Sequence, residues 1–597
     1  MPGTDDKIEP SKPLSTLGLA LVSVVVGGVA GLGAVVFRDL IGAFHNVLFL
    51  GKWTLAYDAN VHTEAGPWGP YIILVPVIGA IGVAFLVKNF APEAKGHGVP
   101  EVMDAIYYRV GRIRPVVALV KSIASALSIG SGGSIGREGP IIQIGASFGS
   151  TIGQWMRVPA WQRVALIAGG AGGGIAATFN TPVGGVLFVI EVMMHEVSVR
   201  TLVPVALAVV TATHVGRVFF GPHPSFVIPN LETPDAVTSD PLILLGYVGL
   251  GVALGAVSAL FIKSIYGFQD FFEQRINGSY YRQHLIGMFV VGIMMYTLMT
   301  LHGHYYVEGV GYSTVQEILS GANYSLAFLL LLFALKLLAT SLTLGSGASG
   351  GIFSPALFLG ATVGGAYGLV FSHLFPSLDV TVSAFSVAGM AGVVGGATGA
   401  VMAAIIMIFE MTRDYNVILP MTLTVAVSYA VRKVLCSESI YSMKIVRSGH
   451  FAPNALRTNP FLEYKARDRM LPDLGKVDSG ITLQEFSAVV SQQPGIPIFL
   501  VQDSGRIVGV LRREMALRAL DPRQASVLVA ELADRNYITV AGTTDLLDVA
   551  ARMHRGRAAV ALVVDGSAVT TLEAVTGVLL REQIADALVE TSELYSS

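Results

Sequence analysis

Long apolar segments dominate the chain from about Leu17 to about Leu435. A helix needs about 20 residues to cross the hydrocarbon core of a bilayer, and several segments approach or reach that length. They are Leu17–Phe37, Tyr71–Val87, Leu202–Phe219, Leu242–Phe261, Leu285–Leu301, Leu326–Leu342 and Leu419–Val434. The pattern predicts an all-α polytopic membrane region over 17–448.

Other apolar segments in this region are shorter and are interrupted by glycine. They are Ile141–Ile152, Val164–Ile175, Val183–Met194 and Ala388–Phe409. Short or broken helices inside a membrane bundle often border a binding site at membrane depth. We therefore expect the functional site among them.

The pattern changes after Ser448. From Leu462 to Leu588, short apolar runs alternate with amphipathic helical stretches, among many arginines and acids. This alternation predicts a soluble α/β module over 449–597, made of two similar units of about 60 residues each. Residues 1–16 begin with a polar, partly acidic stretch that does not fit the basic start of a signal peptide. We expect them to form a cytoplasmic N-terminal segment.

Composition agrees with a bilayer environment. Of the 597 residues, 53% are hydrophobic and 13% charged, against about 25% charged in typical soluble domains. The formal net charge of −2 gives no basic signature for nucleic acid. The single cysteine, Cys436, excludes a disulfide framework and a multi-cysteine metal site. Because the sequence shows no nucleophile–base pair, phosphate loop or metal cluster, we predict no enzyme, no catalytic residue and no cofactor.

The placement of positive charge predicts the orientation. Ala91–Pro115 and Arg432–Arg447 are rich in Lys and Arg, whereas Gly221–Asp240 has neither. By the positive-inside rule, the first two segments are cytoplasmic and the third is external. We expect both termini in the cytoplasm, and a multi-pass protein of the plasma (inner) membrane of a prokaryote.

The membrane region repeats itself. Gly130–Pro140 aligns without gaps to Gly345–Pro355, and each is followed by an Ala-Gly-x-Ala-Gly block and then by a glutamate, Glu191 or Glu410. A duplication predicts a site between two halves. The halves span roughly 17–220 and 241–441.

Each copy of the repeat is a glycine-rich turn that ends in proline near a helix start. Such a turn exposes backbone N–H groups and the positive end of the helix dipole, which suit a partly dehydrated anion. Backbone donors also bind a permeating ion without the deep trap of a buried Lys or Arg. Glu138 lies in the first turn, where its charged form would compete with the anion and its protonation would free the path.

Other interpretations stay open at this point. Gly345–Gly350 formally matches the dinucleotide fingerprint GxGxxG, although no acid follows about 20 residues later. Both turns could serve only the close packing of helices. Glu138 could form a salt bridge with Arg137, although adjacent residues rarely face each other on a helix.

Several segments resemble the signature segments of the CLC chloride channel and transporter family, and they occur in family order. They are Gly96–Glu101, Gly136–Pro140, Gly345–Pro355 and Glu410–Pro420. The resemblance runs from about Leu17 to Tyr441, and the C-terminal region is similar to the tandem CBS domains that many members carry. It implies a homodimer with one pore per subunit, an inverted repeat of tilted helices, and chloride or a similar halide as the permeant ion.

The resemblance also implies roles for single residues. Glu138 matches the external gating glutamate, and Tyr441 matches the tyrosine whose hydroxyl touches the central anion. The other implied anion-binding positions lie in the glycine-rich segments. They are His97, Gly98, Arg137, Gly139, Ile352 and Phe353.

Some positions depart from the family pattern. His97 stands where the family has a serine, and an imidazole can still donate one hydrogen bond to an anion or simply point into the inner vestibule. Val192 stands where antiporters of the family carry the internal proton-transfer glutamate, and valine cannot relay protons. In the C-terminal region, Gly509–Met515 and Gly577–Gln583 lack the acid that grips a ribose in related domains. A structural or dimerising role is then at least as well supported as nucleotide binding.

These observations predict chloride-selective anion transport, as a passive or voltage-gated channel or an uncoupled uniporter gated by Glu138. The alternative is a chloride/proton antiporter in which Glu138 works with His97 or Glu191 as the internal relay. A third interpretation is a sensor whose C-terminal module signals the ion state. His97 leaves the preference between chloride, nitrate and bromide open.

Overall fold

The protein is described by a computed structural model that covers residues 13–194, 198–228, 240–276, 278–378, 380–450, 464–564 and 574–593. The described residues fall into two compact units, one within Pro10–Arg457 and one within Thr458–Ser597. The predicted boundary at Ser448 precedes residues 451–463, which lie outside the described residues. Part of the predicted external segment, 229–239, and most of the N-terminal segment also lie outside them.

The membrane unit is built of helices in its described residues. In chain order they are α1 (Thr16–His45), α2 (Val75–Asn89), α3 (Val99–Tyr108), α4 (Val116–Gly130), α5 (Glu138–Trp155), α6 (Ala160–Phe179), α7 (Pro182–Phe188), α8 (Val199–Phe220), α9 (Pro241–Arg275), α10 (Tyr280–His302), α11 (Tyr312–Leu319), α12 (Leu326–Gly345), α13 (Phe353–Leu374), α14 (Val382–Thr398), α15 (Val401–Thr412), α16 (Ile418–Leu435) and α17 (Ser442–Arg447). Short 3-10 or π-helical turns extend several of them, such as Val189–Met194 after α7.

Eight helices among the described residues are long and apolar enough to cross a membrane. Each long segment predicted from the hydrophobic pattern lies within one of them, so these predictions are confirmed. The eighth, α13, was not predicted as a span; glycines and polar residues interrupt its apolar sequence, although its mean hydropathy of 1.4 equals that of α16. The predicted segment Ala388–Phe409 is two helices, α14 and α15, since Gly399 ends α14 at a φ of +81°.

Glycines allow equivalent helix pairs of the two halves to pack backbone against backbone. A Cβ on Gly145 of α5 would lie 2.0 Å from the carbonyl oxygen of Gly170 on α6. In the second half, a Cβ on Gly360 of α13 would lie 2.2 Å from the carbonyl oxygen of Gly389 on α14. Such close approach is how small residues hold membrane helices together without a hydrophobic driving force. Close packing therefore accounts for much of the glycine content.

The C-terminal unit has the predicted α/β architecture. Its elements are α18 (Ala466–Arg469), β1 (Gly475–Asp478), α19 (Leu483–Gln492), β2 (Ile498–Asp503), β3 (Arg506–Arg512), α20 (Val529–Leu532), β4 (Tyr537–Ala541), α21 (Leu546–Arg555), β5 (Val560–Val564), β6 (Val575–Leu580) and α22 (Arg581–Glu593). The sheet β1-β2-β3 pairs β1 with β2 in parallel and β2 with β3 antiparallel, and β4-β5-β6 repeats that order. Two β-α-β-β units follow one another, as predicted.

Candidate anion-transport site

The two glycine-rich turns meet at the centre of the membrane unit. The N–H of Gly136 donates to the carbonyl of Gly351 over 2.7 Å, and the N–H of Gly351 donates back to the carbonyl of Gly136 over 2.6 Å. The starts of α5 and α13 are thereby fixed side by side, although more than 200 residues separate them in sequence. The site lies between the halves, as a duplication requires.

A third glycine-rich segment joins them. Gly96 exchanges backbone hydrogen bonds with the second turn, through Ala348 over 3.0 Å and Gly350 over 3.2 Å. The carbonyl oxygen of His97 packs so closely on α5 that a Cβ on Gly139 would lie 2.0 Å from it. The starts of α3, α5 and α13 therefore converge, and their dipoles place partial positive charge there.

Some helices of the membrane unit begin with a side-chain cap, and others do not. Side chains of Ser15, Ser198, Asp240, Ser325 and Thr381 cap the helices that follow them. By contrast, α3, α5 and α13 begin without a side-chain cap. No protein hydrogen bond among the described residues engages the N–H groups of Arg137, Gly139, Ile352 or Phe353. Uncapped amides of this kind are free to bind an anion.

The carboxylate of Glu138 lies at the start of α13. Its side chain is fully buried. The hydroxyl of Tyr312 donates to Oε1 over 2.5 Å, the hydroxyl of Ser354 donates to the same oxygen, and the N–H of Ser354 donates to Oε2 over 3.2 Å. The carboxylate thus takes donors that an anion at this helix start would use.

Arg137 does not pair with Glu138. Its guanidinium lies over the rings of Phe179 and Tyr312, with the Cζ atom 5.8 and 5.3 Å from the ring centroids. Between these two described residues, Arg137 and Glu138, there is no ion pair. The alternative of a local salt bridge is therefore wrong.

Tyr312 was missed by the sequence analysis. It is the first residue of α11 and follows Gly311, which has a φ of +75°. Lys336 fixes the preceding loop by donating to the carbonyls of Val307 and Gly309 over 3.1 and 2.9 Å. The available signal was the repeat, because Gly-Val-Gly at 309–311 precedes the second turn much as Gly-His-Gly at 96–98 precedes the first.

Lys121 is the equivalent lysine of the first half. Its Nζ donates to the carbonyls of Ala94 and Gly96 over 3.0 and 2.8 Å and so fixes the loop that carries His97. His97 is 4% exposed, and its Nδ1 has no hydrogen-bond partner among the described residues. Tyr441 is also buried and meets Phe188 edge-on, with ring centroids 6.3 Å apart.

Glu191 and Glu410 hold helix starts in opposite halves. Glu191 accepts from the N–H groups of Met402 and Ala403 at the start of α15, over 3.0 and 2.7 Å. Glu410 accepts from the N–H groups at the start of α7, over 3.1 and 2.8 Å. Each carboxylate is satisfied by two amides and neutralises a helix dipole. Val192, beside Glu191, lies in the apolar core and is 4% exposed.

Comparison with known proteins agrees with this geometry. The sequence model described as "Voltage gated chloride channel" matches residues 79–433. The chain is 33% identical over 437 residues to the H(+)/Cl(-) exchange transporter ClcA of Yersinia pseudotuberculosis serotype IB (strain PB1/+), covering 72% of this chain and 87% of that protein. It is 31% identical over 439 residues to the protein of the same name from Citrobacter koseri, covering 72% and 89%.

Solved structures share the fold. A slow cyanobacterial Cl-/H+ antiporter matches 73% of this chain and 99% of its own, with 25% identity and a TM-score of 0.62. A eukaryotic CLC transporter matches 95% of this chain and 97% of its own, with 19% identity and a TM-score of 0.60. The homodimer and the cytoplasmic position of both termini stay predictions. The protein is a multi-pass membrane member of the CLC family of anion transporters and channels, and it is not an enzyme.

Proposed function

We propose that this protein exchanges chloride or a similar anion for protons across the membrane. The observation that carries the proposal is the position of Glu138, whose carboxylate occupies the donors at the start of α13. An ionised carboxylate and a chloride ion compete for these donors, whereas a protonated carboxyl releases most of them. Occupancy by the anion and protonation of Glu138 are then linked, and such linkage is reciprocal. The names of the ClcA relatives support the same function.

A passive uniporter is the second candidate, and it was the function favoured by the sequence alone. The apolar Val192 in the core and the two amides that hold Glu191 favour it, because neither residue offers a ready carrier for protons on the inner side. This candidate keeps Glu138 as a gate but leaves proton movement uncoupled from the anion.

Reconstituted full-length protein in liposomes distinguishes the two candidates. An imposed chloride gradient is expected to drive protons against their own gradient, measured with a pH electrode and checked by collapse of the signal with a protonophore. Chloride flux without uphill proton movement would contradict exchange and support the uniporter.

We expect Tyr312→Phe to destabilise the Glu138 carboxylate in its hydrogen-bonded position. The change removes the hydroxyl that donates to the carboxylate but keeps the ring against Phe226, at 5.3 Å between centroids. A hydrogen bond to a charged group contributes about 1.5–3 kcal/mol. Because ionised Glu138 loses more hydrogen-bond stabilisation than protonated Glu138 does, the pH at which chloride flux is half-maximal should rise.

The measurement is chloride flux from liposomes as a function of pH. Tyr247→Phe is the matched control, since Tyr247 is equally buried but stacks on Phe385, 4.5 Å away, outside the Glu138 cluster. An unchanged pH profile for Tyr312→Phe would show that its hydroxyl does not hold the gate closed.

A further inference from the structure

A cavity of about 420 Å³ opens on the arginine-rich side of the membrane unit, which the charge pattern assigns to the cytoplasm. Charged side chains line its mouth, among them Arg109, Arg114 and His450, whose side chains are 57%, 54% and 41% exposed. The cavity continues inward along α3 as far as Glu101 and Gln143. It is thus a recess with a charged rim and largely apolar walls, and buried polar groups lie at its inner end.

Gln143 places the inner end of the cavity close to the anion site. It is five residues beyond Glu138 on α5, which corresponds to about 7.5 Å of helix rise. A Cβ on Gly98 would lie 3.0 Å from Oε1 of Gln143, so the amide side chain touches the segment that carries His97. The cavity therefore ends about 1.4 helical turns from Glu138.

Unpartnered polar atoms are concentrated at this inner end. Oε2 of Glu101, Oε1 of Gln143 and Nδ1 of His97 are buried and have no hydrogen-bond partner among the described residues. A buried acceptor without a donor is costly, and it is normally satisfied by water or by a proton. The carboxylate of Glu101 and the imidazole of His97 can take up a proton, whereas the amide oxygen of Gln143 can only accept a hydrogen bond.

We propose that this cavity is the cytoplasmic proton entrance and that Glu101 is its proton acceptor. The inference rests on the proposed exchange function, because an exchanger with Val192 in place of an acid needs another inner route. A hydronium ion in the cavity gives its proton to Oε2 of Glu101 and becomes water. Glu101 then releases the proton inward and its carboxylate is restored, and the carboxylate of Glu138 becomes the final acceptor.

The charges around Glu101 suit a transient carrier. Nζ of Lys444 on α17 donates to its Oε1, and Lys121, His97 and Tyr266 are charged or titratable neighbours of the carboxylate. The two lysines favour the ionised carboxylate, so a proton taken up at Oε2 is not trapped. Asp104, farther out on α3, pairs instead with Arg109 and His450 over 2.8 Å each.

The test is Glu101→Gln in the full chain, reconstituted in liposomes under a chloride gradient. Uphill proton flux should fall roughly tenfold or more, as expected on removal of a proton carrier, while chloride flux stays near the wild-type rate. The ratio of proton flux to chloride flux distinguishes loss of the proton carrier from a structural defect, because a structural defect would lower both fluxes together.

Glu93→Gln is the matched control, since it removes a carboxylate from the same cavity. Burial raises the pKa of Glu93, but hydrogen bonds from Arg114 and the backbone outweigh it and hold the pKa below its ordinary value. Both carboxylate oxygens of Glu93 accept from Arg114, whereas Oε2 of Glu101 has no partner among the described residues, so the Glu93 variant should keep the wild-type ratio. If Glu101→Gln does not fold, Ser448→Trp at the cavity mouth replaces it and should lower the ratio by obstructing the cavity.

The outcomes are separable. If the wild type moves no protons uphill, the exchange function itself is wrong. If the wild type exchanges and the ratio is unchanged in Glu101→Gln, or in Ser448→Trp where that variant replaces it, the proposed entrance is wrong and exchange stands.

Discussion

Replacing Glu138 by glutamine is expected to abolish uphill proton movement and to leave chloride flux that no longer depends on pH. Glutamine has nearly the shape of a protonated glutamate but cannot gain or lose a proton. Two hydroxyls and one amide N–H donate to the carboxylate in the wild type. The NH2 group of glutamine cannot accept from them, so the side chain cannot occupy the site as tightly as the carboxylate does.

The size of the effect follows from the hydrogen bonds. Each bond to a charged group contributes about 1.5–3 kcal/mol, and loss of one such bond corresponds to roughly a tenfold to hundredfold change in occupancy by the side chain. Chloride flux at neutral pH should therefore equal or exceed that of the wild type. The readout is the pair of chloride and proton fluxes from the same liposomes over a range of pH.

Glu410→Gln is the appropriate control for Glu138→Gln. Glu410 is also a carboxylate satisfied by hydrogen-bond donors, but it holds the start of α7 and lies outside the cluster of Tyr312 and Ser354. This variant should lower thermal stability while keeping the pH dependence. A pH response that survives in Glu138→Gln would remove Glu138 from the gating role and, with it, the proposed coupling.

The hydrophobic pattern predicted the spans because membrane helices need about 20 apolar residues in a row, a property that each segment carries by itself. It failed where the property is tertiary. The sequence indicated that glycine interrupts Ala388–Phe409, but it did not show that Gly399, one of several glycines there, ends α14. The helix α13 carries polar residues that are buried by other helices rather than exposed to lipid, so its pattern is weak.

In the candidate site, too, some features follow from local sequence and others depend on the tertiary structure. The glycine-rich turns could be predicted as uncapped helix starts, because this property belongs to local sequence. Tyr312 could not, because its hydroxyl reaches Glu138 across 174 positions of the chain. Glu191 was predicted as a candidate proton relay because it is adjacent in sequence to Val192. Its carboxylate holds amides 211 and 212 positions away, a contact that only the folded chain reveals.

Gly139→Ala is expected to abolish transport, because the three helix starts leave no room for a methyl group. A Cβ on Gly139 would lie 2.0 Å from the carbonyl oxygen of His97 and 3.1 Å from the Cα of Gly351. Both neighbours are backbone, so no rotamer change relieves the overlap. Either α5 or the His97 segment must move, and the amides at the site would no longer converge.

Overpacking of this kind lowers the free energy of unfolding by about 1–3 kcal/mol or more. Gly28→Ala in α1 is the matched control, since a Cβ there would meet nothing within 4 Å, and alanine is favoured over glycine in a helix by about 1 kcal/mol. Thermal unfolding of the purified protein and chloride flux should show a loss for Gly139→Ala and none for Gly28→Ala. Wild-type flux in Gly139→Ala would mean that the carbonyl of His97 does not lie against α5, and the convergence of the three helix starts on one anion would then be wrong.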